Sequence, residues 1–188
     1  MKDADFKRTD SLFSLCGLNC SLCPAFVRNE CGCCFSDSPC YRTCPLAPCS
    51  VKHGNVEYCY LCEEYLCKKY EGFDLHDSMV LHRNIKKDVE KAKRIGIEAY
   101  KEEQREKKRL LDRLLEEYDD GQKDVFFCLT VNMLEVDDLK EVLEQAEKTV
   151  GDIAPSDKAE FMERQLHECA EKRNVVLELR ITDEPWFK

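Results

Sequence analysis

Apolar residues in the last 60% of the chain recur at helical spacing, whereas those of the first third follow neither a helical nor a strand period. Val80, Ile85, Val89, Ala92 and Ile95 form an approximate helical stripe that Asp77 or Ser78 can cap, and Gly96 stands where such a helix would end in left-handed geometry. A second helix is predicted from about residue 97 to 118, with Tyr100, Leu110, Leu111, Leu114 and Leu115 on its apolar side. Its middle, KEEQREKKR, is charged on every face and reads as a solvated stretch. Asp119-Asp120-Gly121 closes it.

Further on, VFFCLTV (125–131) is ambiguous, because a strand and a buried helical turn both suit a short apolar run. Residues 137–149 form an amphipathic helix with Leu139, Val142, Leu143 and Ala146 on one side, and Gly151 and Pro155 break it. Ser156 can cap a fourth helix over 157–173 that turns Phe161, Leu166 and Ala170 inward. VVLELRI (175–181) alternates apolar and polar and reads as a strand. The expected fold class is α+β, mostly α: an irregular cysteine-rich module over 16–72, after a polar lead-in at 1–15, then a helical domain over 73–188 that ends in a strand, with at most two short strands.

Cysteine usage changes the picture of the first third. Of 14 cysteines, 12 lie in the 52 residues from Cys16 to Cys67. A disulfide scaffold needs an oxidising compartment, and nothing implies one: MKDADFKRTDSLFSL has no apolar run of signal-peptide length, so a cytoplasmic location is expected. No stretch reaches the roughly 18 apolar residues of a membrane span. Metal ligation is the reading that accounts for so many thiols, and each structural zinc can add on the order of 10 kcal/mol to folding where apolar periodicity is missing. Cys128 and Cys169, outside the module, read as core packing. The formal net charge is -9, near -1 over residues 1–72 and near -8 over 73–188, which disfavours general nucleic-acid binding.

The spacing is that of metal ligands. Cys16, Cys20 and Cys23 form C-x3-C-x2-C; Cys31, Cys33 and Cys34 form C-x-C-C; Cys40, Cys44 and Cys49 form C-x3-C-x4-C; Cys59, Cys62 and Cys67 form C-x2-C-x4-C. Two ligands a few residues apart can share an ion because a tight turn aims both inward. About two zinc ions held by eight to ten cysteines are expected. The main alternative is an iron–sulfur cluster, since thiolates suit both metals and Cys23-Pro24 and Cys44-Pro45 resemble ferredoxin cluster loops. A radical-SAM barrel lacks its repeated strand–helix pattern here. His53 lies between clusters and reads as a solvated loop residue; His76 and His82 read as surface or packing residues, and His167 lies on the fourth helix.

CGLNCSLCPAF (16–26), ECGCC (30–34), CPLAPC (44–49) and YCYLCEEYLC (58–67) resemble the bacterial and archaeal domain-of-unknown-function family 3795. The resemblance covers residues 16 to about 70 and extends loosely into IGIEAYKEEQ (95–104). It implies zinc binding, with Cys16, Cys20, Cys23, Cys31, Cys34, Cys44, Cys49, Cys59, Cys62 and Cys67 at the family's cysteine positions. Cys33 stands where that family has a variable residue, and Leu66 where proline precedes the last cysteine; Cys33 and Cys40 are therefore left out of the ligand set. No phosphate-binding glycine loop, nucleophile elbow or HExxH motif accompanies the cysteines. The functional expectation is a metal-built module that recognises an unidentified protein partner or small substrate, with electron transfer or redox catalysis as the iron–sulfur alternative. A third idea is metal or sulfur handling by surplus thiols.

Overall fold

Proline and short-range hydrogen bonding shape the cysteine-rich stretch into brief helices: α1 (Pro24–Val27), α2 (Pro39–Thr43) and α3 (Leu46–Lys52). Pro24 and Pro39 open α1 and α2, where a missing N–H costs nothing. The computed structural model describes residues 6–10, 12–34, 38–151 and 153–181. They are mostly helical and contain no strand. Two compact units are present: Met1–Gln104 with Leu179–Lys188, and Arg105–Glu178.

The first unit takes in the cysteine-rich stretch, α4 (Ile85–Ile95) and the start of α5 (Ile97–Tyr118). Apolar side chains form a real core there, which the lack of period concealed. Leu15, Cys16, Leu46, Ala47, Tyr70, Phe73 and Ile85 make one cluster; Phe13, Tyr58, Val89, Ala92 and Tyr100 make another. Residues 1–15, expected as a polar lead-in, contribute buried Phe13 and Leu15 to these clusters. Along α4, Ile85, Val89 and Ala92 face inward as expected, but Val80 precedes the helix and Ile95 is exposed. Gly96 has φ 88° and ψ 146°, an extended positive-φ conformation rather than a left-handed helical one, and it lets α5 start at once.

Asp77 does not cap a helix, because α4 starts eight residues later. Its buried carboxylate accepts the backbone N–H groups of His82 at 2.8 Å, Arg83 at 3.1 Å and Arg180 at 3.0 Å. The Arg83 guanidinium adds a bond at 2.8 Å and that of Arg180 one at 3.2 Å. Burial alone would raise the Asp77 pKa, but these bonds, those from Arg180 foremost, hold it well below the usual carboxylate range. His82, buried against Phe73, donates its Nδ1–H to the Phe73 carbonyl at 3.1 Å, and burial lowers its pKa to about 4.

The second unit contains the rest of α5, α6 (Asp124–Met133), α7 (Val136–Thr149) and α8 (Pro155–Lys172). Residues 125–131 are helical. Six consecutive residues from Phe127 to Asn132 are buried, and a helix enclosed on all sides shows no amphipathic period. Residues 175–181 are extended but belong to no sheet among the described residues, so the expected strand is corrected; the alternation reflects the greater burial of Val175, Leu177 and Leu179. Helix α7 buries Leu139, Val142, Leu143 and Ala146, as its period predicts. Helix α8 starts at Pro155, which sets the backbone for a first turn, so Ser156 lies inside the helix. It buries Ala159, Met162, Leu166 and Ala170, while Phe161 is half-buried with Arg164 over its ring. The charged middle of α5 is not wholly solvated, since Gln104 and Lys107 are buried. Cys128 packs in the core as expected, and Cys169 is half-buried. Among the described residues, no helix is long and apolar enough to cross a membrane.

Candidate metal centre

Both C-x2-C pairs are built on the same turn. Cys20–Leu22 is a single 3-10 turn, and the Cys23 N–H donates to the Cys20 carbonyl at 3.1 Å. Cys59–Leu61 repeats it, with the Cys62 N–H donating to the Cys59 carbonyl at 3.0 Å. In each turn the second cysteine is the extended residue that caps it, so the chain folds back tightly between the two. After α1 the chain doubles back at Asn29 (φ 59°), and the N–H groups of Glu30 and Cys31 both reach the Ala25 carbonyl.

Long-range bonds then join the clusters. The Cys59 N–H donates to the Leu15 carbonyl at 2.8 Å, and the Tyr70 hydroxyl donates to the Cys16 carbonyl at 3.0 Å. Ser38 caps α2 through the Tyr41 N–H and donates to the Cys33 carbonyl at 2.5 Å. Asn19 ties the CGLNC turn to the helices: it donates to Asp88 at 3.0 Å and accepts from the Tyr100 hydroxyl at 3.1 Å.

The thiols fall into three neighbourhoods. In the first, Cys20 and Cys33 share a hydrogen bond, as do Cys31 and Cys40, and Cys23 feels both Cys20 and Cys31. In the second, Cys16 lies within electrostatic reach of Cys34 and Cys44, and both Cys16 and Cys34 also reach Cys20, so this neighbourhood adjoins the first. The third holds Cys49, Cys62 and Cys67, with Cys59 set between it and Cys44. Among the described residues no cysteine is joined in a disulfide. Among the described residues, no three His, Cys, Asp or Glu side chains are arranged as a group that could hold a metal ion. The donor chemistry suits zinc, but an ion would have to draw the sulfurs in.

No family model, curated protein or solved structure matches the chain.

Burial dominates the electrostatics. It raises Cys16 well above the ordinary thiol value, Cys23 to about 11, and Cys34 and Cys59 to about 12, with neighbouring sulfurs adding to the effect. For Cys20 the hydrogen bond with Cys33 is the leading cause, ahead of burial. These thiols hold their protons at neutral pH unless a cation displaces them. One cation is built in: Arg8, whose side chain is fully buried, lowers the Cys34 pKa in opposition to burial. Its guanidinium donates to the carbonyls of Phe13 at 2.6 Å, Asp10 at 3.2 Å and Glu57, and lies 5.0 Å from the Tyr58 ring centre.

Of the ten expected ligands, each neighbourhood receives at least three. Cys33 and Cys40, left out on sequence grounds, are placed against Cys20 and Cys31. Arg8 and Gly17 went unnoticed. Gly17 has φ +98°, and a Cβ there would lie 2.7 Å from Val89 Cγ2, so only glycine lets the turn between Cys16 and Cys20 settle on α4. The signal was the Gly between two cysteines in CGLNC. His53, expected as a solvated loop residue, is exposed but lies 3.8 Å from the Cys62 sulfur through Nδ1.

Proposed function

We propose that the first unit is a metal-binding module that holds zinc through clusters of cysteine thiolates, at two or more ions per chain, and serves recognition of a protein partner or small substrate. The observation that carries the reading is the repeated tight turn at Cys20–Cys23 and Cys59–Cys62, on a unit that also holds the other eight cysteines of the module. The likeness of its cysteine pattern to a presumed zinc-binding family supports it. Four thiolates saturate a tetrahedral ion, so the metal would fix the loops without taking part in chemistry. The Cys23-Pro24 and Cys44-Pro45 pairs favour a second reading, an iron–sulfur cluster in electron transfer or redox catalysis.

Anaerobic purification, a visible spectrum and elemental analysis separate the two. Colourless protein with two or more tightly held zincs supports the first reading. Brown protein with iron and acid-labile sulfide overturns it in favour of the second. Cys16→Ser and Cys62→Ser should each lower the metal content and the melting temperature; unchanged values for both would remove them from the ligand set.

A further inference from the structure

One cavity in the first unit has a donor-rich wall. It measures about 20 Å³, and Cys49, His53, Cys59, Cys62 and Cys67 all line it. A volume of that order accommodates one water or one ion, not an organic ligand. Two thiols of this wall come from the second C-x2-C turn, and Cys67 precedes the next 3-10 turn, Lys68–Tyr70.

His53 reaches the cavity for a local reason. It is the C-cap of α3, with its N–H bonded to the Cys49 carbonyl at 3.1 Å and to that of Ser50 at 3.0 Å. Four positions after Cys49, it shares that cysteine's helical face, the C-x3-H equivalent of a zinc-ligand pair. Its Nδ1 lies 3.8 Å from the Cys62 sulfur. A tetrahedral ion with metal–sulfur and metal–nitrogen bonds of about 2.3 and 2.0 Å separates those two atoms by about 3.5 Å. The observed gap needs only a small inward movement.

Cys59 has other ties. Its backbone N–H donates to the Leu15 carbonyl at 2.8 Å, and its side chain packs, with those of Cys34 and Cys44, against the core cluster that contains Cys16.

We propose that this cavity is a mixed zinc site in which Cys49, Cys62, Cys67 and His53 are the four ligands, while Cys59 belongs with Cys16, Cys34 and Cys44. The assignment rests on the reading of the unit as a metal-binding module. It makes this ion chemically unlike the all-thiolate ones: three thiolates and a neutral imidazole leave one surplus negative charge rather than two, and the ligand His53 is exposed to solvent. The three thiols must close around the ion, since the described side chains do not yet form a coordinating group.

The test uses the full chain, stripped by chelator and reloaded anaerobically with zinc or cobalt(II). His53→Ala should bind one ion about 100-fold or more weakly than the native chain in competition with a chromogenic chelator, since even outer-shell losses cost about 10–100-fold. The other ions should be unaffected, and His167→Ala should bind like the native chain. In the native chain labelled with nitrogen-15 histidine, zinc should shift the Nδ1 resonance of His53 into the metal-bound range. If the native chain binds its ions, but His53→Ala matches it in affinity and cobalt charge-transfer intensity and the ring does not shift, this assignment fails alone. If the native chain takes up no ion, the metal-binding reading fails with it.

Discussion

Replacing Gly17 with alanine tests how the first cysteine cluster is held in place. The added Cβ meets two penalties. At φ +98° an L-residue is strained, at a cost of about 1–2 kcal/mol. The Cβ would also stand 2.7 Å from Val89 Cγ2, with Ile85 Cγ2 at 3.5 Å and Phe13 at 3.7 Å, so nothing soft is available to yield. Overpacking of this kind costs about 1–3 kcal/mol. The sum is about 2–5 kcal/mol, or a fall in Tm of roughly 4–20 °C for a chain of this size. Gly72→Ala is the control: its φ is +76°, but its nearest neighbour, Leu75 Cδ1, would sit at an ordinary 3.6 Å, so only the backbone penalty applies. Urea unfolding followed by near-ultraviolet circular dichroism reports on the right unit, since six of the seven tyrosines precede residue 105. A Gly17→Ala midpoint no lower than that of Gly72→Ala would refute the claim that the Cys16–Cys20 turn is pressed against α4.

Two further outcomes follow from the buried charges. Burial raises the thiols of Cys16, Cys23, Cys34 and Cys59, so the metal-free folded state keeps protons that the unfolded chain gives up near pH 9. Stability of the metal-free protein should therefore be full below about pH 9 and decline as pH rises towards 11–12, whereas metal-loaded protein should lose its ions and its stability as pH falls. Denaturant midpoints of both forms across that range check the opposite signs, and a common pH profile would count against thiolate ligation. Asp77→Asn should cost about 2–3 kcal/mol by urea unfolding, less than a fully buried pair because Arg83 and Arg180 are partly exposed. A loss below about 0.5 kcal/mol would mean that Asp77 does not anchor the 179–181 segment.

Periodic helices were legible in the sequence because each has one buried face. The stripe of α7, four of the five positions of α5 and two of the three of α8 match the observed burial, with Leu115 and Phe161 only half-buried. Helix α6 was not legible, because Phe127 to Asn132 are enclosed on every side and a buried helix carries no period. Asp77 looked like a cap because a cap and a long-range acceptor use the same residue type. Its partner Arg180 lies 103 positions away, which no local pattern encodes. The same limit applies to the candidate site. Clustering and spacing of the cysteines can be read along the chain, and the tight turns at Cys20–Cys23 and Cys59–Cys62 follow from them. The grouping cannot be, since it depends on bonds such as the one from Cys59 to Leu15, and it brings Cys33 and Cys40 against thiols that spacing alone had set apart from them.

Native mass spectrometry of the full chain, purified and sprayed without oxygen or chelator, measures the central claim most directly. The account predicts a mass above that of the 188-residue polypeptide by two or more zinc ions, each replacing protons of the ligating thiols. A mass equal to the bare chain, after zinc has been supplied in excess, would contradict it, as would the added mass of iron and sulfide.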